Sequence, residues 1–323
     1  MSFHFQPGSD FQHLVSRREL ETRIGEKVQF FSDAWREELE QFAGQFVLLF
    51  ISEDLGPQAN LGFGGSKNGV ETLLKSLFTV QSNRFWNGDN LGIMGVCSFE
   101  KDLVNLSEIR DAVAELDQHL ETYLDAVVAS GKTPLIVGGG HNNSYPILRS
   151  FGKETPINTI NFDPHADFRP LEGRHSGNGF SYAMEHGFLR KYGIFGLHES
   201  YNSETMLEKM DKMQSVVQYV TFESHLDHGI DASLKKLEEL LIFLDDGNCG
   251  MELDLDSISH FPSSAIGPSG FSLNETRQLL RKALKRRKFS YLHLPEGHFE
   301  ENPIWAKGVS YIIADFIKTQ QQW

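Results

Sequence analysis

The chain has 323 residues, with 30 Lys and Arg against 44 Asp and Glu, and a formal net charge of −14, a balance that repels phosphate backbones and speaks against nucleic-acid binding. With 40% hydrophobic and 23% charged residues the composition is that of a folded soluble protein and not of a disordered one. No apolar run approaches the roughly 18–20 residues of a membrane span, the start Met1-Ser2-Phe3-His4-Phe5 lacks the pattern of a secretory leader, and Cys97 and Cys249 sit in apolar segments as buried thiols, so a cytoplasmic protein is expected.

No internal repeat or low-complexity tract interrupts the chain. Short apolar runs, many of them β-branched, read in order as buried strands: Phe46–Ser52, Leu91–Cys97, Pro134–Val137, Ile157–Phe162, Tyr192–Leu197, Val216–Thr221, Cys249–Leu255 and Ser290–Pro295. Continuous apolar runs, rather than alternation, predict parallel strands covered on both faces. Between them lie helical patterns. Leu106–Ala129 carries Ile109, Val113, Leu116, Leu120, Leu124 and Val127 at three- and four-residue spacing, with Ser107 in a capping position. Ala232–Leu244 and Ser272–Lys288 follow, the latter opening with the capping-box form Ser272-x-x-Glu275. The alternation predicts one doubly wound α/β sheet of about eight strands in a single domain over residues 1–323, with ligands bound beyond the carboxyl ends of the strands.

Three of those strand ends carry ionisable clusters. Pro134–Val137 runs into Gly138-Gly139-Gly140-His141, where glycines permit a sharp turn, although a lone His141 reads more readily as a cap or a satisfied polar residue than as a ligand. Ile157–Phe162 runs into Asp163-Pro164-His165-Ala166-Asp167, whose Asp163, His165 and Asp167 share one side of an extended backbone. Cys249–Leu255 runs out through Asp254 and Asp256, which share one face, with Glu252 deeper on the same face. Acids converging in this way repel each other unless a cation lies between them. Four Asp and two His without Cys favour Mn²⁺ over a soft-ligand zinc site, and they suffice for two divalent ions if carboxylates bridge. A single Asp pair at a strand end would otherwise merely cap the next helix.

Gly-Gly-Gly-His, Asp-Pro-His-Ala-Asp and Leu-Asp-Leu-Asp, in this order from Gly138 to Asp256, resemble the motifs of the ureohydrolases, the superfamily of arginases, agmatinases and formiminoglutamases. The resemblance implies an arginase-type three-layer α/β/α domain with an eight-stranded, mainly parallel sheet. It implies two Mn²⁺ ions, one held by His141, Asp163, Asp167 and Asp254 and the other by His165, Asp163, Asp254 and Asp256. Ser269–Glu275 resembles a family segment whose glutamate grips the substrate cation, which makes Glu275 the expected anchor, with closure of the capping box as its competing role. Leu294-Pro295-Glu296 resembles a late strand end that carries a supporting glutamate. The loop Phe168–Phe180 separates the members. Ser176-Gly177-Asn178 resembles the arginase loop that holds the amino-acid end of the substrate, which gives Ser176 and Asn178 as expected contacts. Phe180 stands where arginases carry a proton-shuttling histidine, and Asp167-Phe168-Arg169 resembles the Asp-Leu-Arg of formiminoglutamases. Ser257 and the pair Asn142-Asn143 depart from the common pattern.

The expected activity is hydrolysis of the C–N bond of a linear amidine or guanidine. Asp167 would carry the proton, Glu275 would hold the substrate cation, and Arg169 or Arg174 would meet a substrate carboxylate. N-formimino-L-glutamate, giving glutamate and formamide, ranks first; arginine, agmatine and other guanidino compounds are the alternatives. A non-catalytic relative of the same fold is the competing class, and retention of all six ligand positions speaks against it. A single-ion zinc deacetylase would leave His141 and Asp256 unexplained. The basic run Arg281–Lys288 reads as cations at a helix C-terminus. Family resemblance further implies a homo-oligomer.

Overall fold

The computed structural model describes residues 2–100 and 105–323. Among the described residues ten strands form one sheet: β1 (Ser2–Pro7), β2 (Gln29–Phe30), β3 (Phe46–Ser52), β4 (Leu91–Glu100), β5 (Thr133–Val137), β6 (Ile157–Phe162), β7 (Leu189–Leu197), β8 (Val217–Thr221), β9 (Cys249–Leu253) and β10 (Leu292–Leu294). Eight of them form one continuous parallel run, in the order β4-β3-β5-β10-β9-β6-β7-β8, and β2 adds a short parallel pairing to β4. These are the eight strands that the apolar runs predict. β1, antiparallel to β4, and the two-residue β2 share the outer edge of β4 and extend the sheet beyond that expectation. β1 is half-buried and mixes polar with apolar residues, so it carries no continuous apolar signal.

Among the described residues the α-helices flanking the sheet are α1 (Trp35–Gln41), α2 (Leu55–Ala59), α3 (Val70–Phe78), α4 (Leu106–Ala129), α5 (Ser144–Gly152), α6 (Gly179–Glu185), α7 (Glu204–Asp211), α8 (Phe222–Phe243), α9 (Leu273–Arg286) and α10 (Pro303–Gln320). Alternate residues of each central strand supply opposite faces. Leu48 and Phe50 of β3 pack with Leu77 of α3, Leu280 of α9 and Ile313 of α10. Val47, Leu49 and Ile51 pack with Leu116, Leu120 and Leu124 of α4 and Ile147 of α5. The result is three layers, and each fully buried Leu or Ile contributes about 1.5–3 kcal/mol.

Local chemistry adjusts the predicted boundaries. Asn105, not Ser107, caps α4, its side chain accepting from the Glu108 N–H at 3.0 Å. α8 begins ten residues before the predicted Ala232 and crosses a non-helical Gly229. β9 stops at Leu253 because Asp254 turns the chain into a short 3₁₀ segment, Leu255–Ser257. Cys97 and Cys249 are buried free thiols. Among the described residues no helix is long and apolar enough to cross a membrane.

Candidate metal centre and cleft

β5, β10, β9 and β6 lie side by side in register, with Val137 opposite Leu294, His293 opposite Glu252 and Leu253 opposite Phe162. Their carboxyl ends therefore open at one level, and three chain segments distant in sequence release their acids and imidazoles into the same space.

After β5 the backbone turns through Gly138 and Gly139 at φ 88° and 69°. A Cβ on Gly139 would stand 2.2 Å from Asn143 Nδ2 and 2.8 Å from Glu53 Oε1, so the turn requires glycine. Buried Glu53 pins it by accepting from Gly140 N–H and Asn143 Nδ2, both at 2.7 Å. Glu296, at the end of β10, takes the His141 N–H on Oε1 at 2.8 Å. These contacts seat His141 with Nδ1 at 2.9 Å from Asp167 Oδ2, 3.0 Å from Asp254 Oδ2 and 3.2 Å from Asp163 Oδ2. Beside this group, His165 Nδ1 lies 3.2 Å from Asp256 Oδ2 and 3.5 Å from Asp163 Oδ1. Two ligand-like groups thus form at the strand ends, His141–Asp163–Asp167–Asp254 and Asp163–His165–Asp256, and Asp163 belongs to both; a third, His141–Glu252–His293, lies at the Nε2 edge of His141.

The convergence arises differently from the extended backbone predicted. Asp167 sits at φ 45°, a costly conformation for an aspartate, and the turn is closed by His165 N–H donating to Asp163 Oδ1 at 2.6 Å. Asp254 is likewise held by the Asp256 N–H on its Oδ1 at 2.9 Å.

The electrostatics are those of an acid cluster short of positive charge. Burial opposes ionisation of Asp254, and Asp256 and Asp163 add repulsion, so its carboxyl stands well above the usual range. Burial also lifts Asp256, to about 6, against the pull of His165. Asp163 goes the other way: burial resists, but His141 and His165 hold it at about 2. Burial would lower His141, yet Asp163, Asp167, Asp254 and Glu252 hold it well above the histidine range. Neither His141 ring nitrogen makes a well-directed hydrogen bond among the described residues, and Asp256 Oδ1 has no partner. One imidazole N–H cannot serve three carboxylates. Hard oxygen donors with imidazole, gathered around unpartnered buried atoms, fit a divalent cation such as Mn²⁺.

Glu252 and His293 supply a support that the motifs only hinted at. The His141 Nε2 edge faces Glu252 Oε2 at 3.5 Å, and Glu252 is itself bound by His293 Nδ1 at 2.6 Å and Tyr291 OH at 2.8 Å. Burial works against the Glu252 carboxylate, but His293 and His141 hold it at about 2. A carboxylate behind a ligand-like imidazole fixes the orientation of its ring. Phe180 meets the His141 ring edge-on at 5.2 Å and stacks on Tyr192 at 4.3 Å. An apolar ring therefore fills this position beneath His141, without a proton-transfer group.

A cleft of about 570 Å³ opens over the cluster. Asp167, Asp254, Asp256, His165 and Glu296 line it on the acidic side, and Arg169, Ser176, Tyr201 and Lys209 line it elsewhere. Tyr201 stacks on the His165 ring at 5.3 Å. Burial and Asp254 push the Glu296 carboxyl up to about 8, while Ser264 Oγ donates to its Oε2.

Three expected substrate contacts are placed otherwise. Glu275 closes the capping box of α9, accepting from Ser272 N–H at 2.8 Å, and faces His225 at 3.4 Å; the glutamate that lines the cleft is Glu296. Asn178 is buried and spends its side chain on Gly173 O and Pro170 O and on the donors of Arg174 and His175. Arg174 is buried too. It binds Asp117 at 2.8 Å and Asn142 O at 2.8 Å between the rings of Tyr145 and Tyr182. Both residues tie the loop to the core. Arg169 does line the cleft, with its guanidinium on Asn60 Oδ1 at 2.8 Å and Glu172 Oε1 at 2.6 Å.

The fold matches that of formimidoylglutamase from Bacillus subtilis, with a TM-score of 0.77 at 15% identity over 95% of this chain and 94% of that one. It also matches a formiminoglutamase of Trypanosoma cruzi solved with Mn²⁺, with a TM-score of 0.74 at 20% identity over 93% and 98%. In sequence, the formimidoylglutamase of Macrococcus caseolyticus is 26% identical over 258 residues, covering 77% of this chain and 76% of that protein. A guanidinopropionase of Pseudomonas aeruginosa is 28% identical over 156 residues, covering 43% and 47%. Sheet, gathered ligand-like groups and relatives together define a metal-dependent hydrolase acting on C–N bonds. The arginase-family model matches residues 63–296, and the chain belongs to the arginase family.

Proposed function

We propose that this chain is a formimidoylglutamase that binds two Mn²⁺ ions and hydrolyses N-formimino-L-glutamate to L-glutamate and formamide. The observation that carries the reading is the pair of ligand-like groups sharing Asp163 beneath a cleft that is acidic at its floor and cationic on its wall. In this reading His141, Asp163, Asp167 and Asp254 hold one ion, and His165, Asp163, Asp254 and Asp256 hold the other. Bound manganese would act as a Lewis acid and make water acidic enough to ionise near neutral pH.

The chain's own residues supply the rest. Glu252 and His293 keep the His141 ring in place. Glu296, in place of Glu275, faces the amidine and holds its N–H groups in line. Ser176 and Arg169 meet a carboxylate at the other end of the substrate. Water adds to the formimino carbon, and the bond from that carbon to the glutamate nitrogen breaks. Asp167 takes a proton from the water and returns it to the departing nitrogen. Phe180 gives no second proton carrier.

Replacing Arg169 by Ala raises KM for N-formimino-L-glutamate and leaves kcat nearly unchanged; unchanged kinetics would remove that role. A guanidino acid is the second reading, favoured by the guanidinopropionase relative. It keeps the same site and releases urea in place of formamide.

A further inference from the structure

Lys209 stands on the cleft wall without a contacting ion-pair partner among the described residues. It projects from α7, and its Nζ donates to Phe168 O at 3.1 Å and Ser181 Oγ at 3.4 Å, 4.0 Å from the centroid of the Phe168 ring. All three neighbours are uncharged. Among the described residues no carboxylate lies within ion-pairing distance of this ammonium. Arg169, the other cation lining the cleft, is already engaged by Glu172 and Asn60.

A half-buried ammonium that touches only neutral groups has lost water without a counter-charge in contact; burial pulls its pKa down, and only the more distant Glu185 carboxylate opposes this. Two acceptors occupy two of its three N–H groups, which leaves one donor for a ligand. In the amidine-hydrolase reading the floor of the same cleft, lined by Asp167, Asp254, Asp256 and Glu296, is taken by the metal ions and the amidine. A substrate with a cationic amidine and carboxylates beyond it is thereby oriented along the cleft, carboxylates toward the wall.

We propose that Lys209 is a specificity-determining residue that receives a second carboxylate of the substrate, distinct from the one at Arg169 and Ser176, and so selects dicarboxylate amidines. This rests on the amidine-hydrolase reading above and adds the residue that distinguishes two carboxylates from one.

The test titrates the Mn²⁺-loaded full chain by calorimetry with L-glutamate and with L-glutamine, which replaces one carboxylate by a neutral amide of similar shape. The wild type binds L-glutamate about tenfold more tightly, equivalent to about 1.4 kcal/mol. Lys209→Met keeps the stem over Phe168 and removes the charge; it abolishes the preference by weakening L-glutamate alone, and Lys209→Arg retains it. Equal weakening of both ligands would make Lys209 a strut for the Phe168 turn and overturn the proposal. So would a preference that survives in Lys209→Met, or a wild type that binds the two alike. Turnover of N-formimino-L-glutamate is followed on the same samples. Charge-dependent glutamate binding without turnover removes the hydrolase reading and keeps this assignment; turnover without that dependence does the reverse.

Discussion

Asp163 belongs to both ligand-like groups, so its loss reaches both. Asp163→Ala is expected to retain less than one Mn²⁺ per chain after desalting, whereas Asp256→Ala retains about one; plasma emission spectrometry reads the difference, and equal retention in the two variants would contradict shared ligation. The two glutamates with competing roles separate by kinetics. Glu296→Gln should lower kcat/KM about 100-fold, about 2.7 kcal/mol of transition-state stabilisation. Glu275→Gln should leave kcat/KM within about threefold and weaken the α9 cap by roughly 1 kcal/mol or less. A Glu275 effect larger than that of Glu296 would restore the substrate role first expected for it. Proton linkage gives a further check. The acids around His141 and His165 hold both imidazoles protonated well above the usual histidine range, against the effect of burial. A bound cation has to displace those protons. Apparent Mn²⁺ affinity should therefore rise with pH across the neutral range, with proton release on binding measurable by calorimetry in buffers of different ionisation enthalpy. A pH-independent affinity would refute it.

At the scale of elements, the six acids and imidazoles that the structure gathers were legible as candidates because each follows a continuous apolar run, and such runs mark buried parallel strands. The parallel register then brings their ends together without further instruction. Supporting residues were harder to read. Glu53 follows β3 and His293 lies inside β10, and neither belongs to a short motif; only the strand order places them against His141 and its turn. Between the two roles open to Glu275, and for Asn178, the sequence could not decide, for a related reason. A residue type at the right spacing cannot show whether a cap or a neighbouring Arg has already taken its hydrogen bonds. β1 was missed because an antiparallel edge strand is buried on fewer sides. The Asp117–Arg174 pair joins α4 to the cleft loop in a buried, bidentate contact. Asp117→Ala leaves the guanidinium buried without its partner and should destabilise the fold by about 3–5 kcal/mol in urea unfolding. A loss under 1 kcal/mol would show that the loop is held by other contacts.

Across the whole molecule, the acidic cluster, the loop pinned by Arg174 and the cation-bearing wall make a polarised cleft at one end of a sheet whose other surfaces are occupied by helices. The basic stretch at the end of α9 is largely spent within the fold, with Arg281 on Asp315 and Lys282 and Arg286 on Glu238. Because the folded chain gathers the ligands and the unfolded chain does not, Mn²⁺ at about 100 times its Kd should add roughly 2.7 kcal/mol to stability and raise Tm; a chelator should reverse the shift. In the proposed reading this cleft cleaves a formimino C–N bond with bound manganese. The direct measurement is product analysis of Mn²⁺-loaded protein incubated separately with N-formimino-L-glutamate, arginine, agmatine and guanidinopropionate. Equal amounts of L-glutamate and formamide, abolished by chelation and restored by Mn²⁺, are predicted. Fully loaded protein that releases neither from formiminoglutamate, while releasing urea from a guanidino compound, would contradict the assigned substrate.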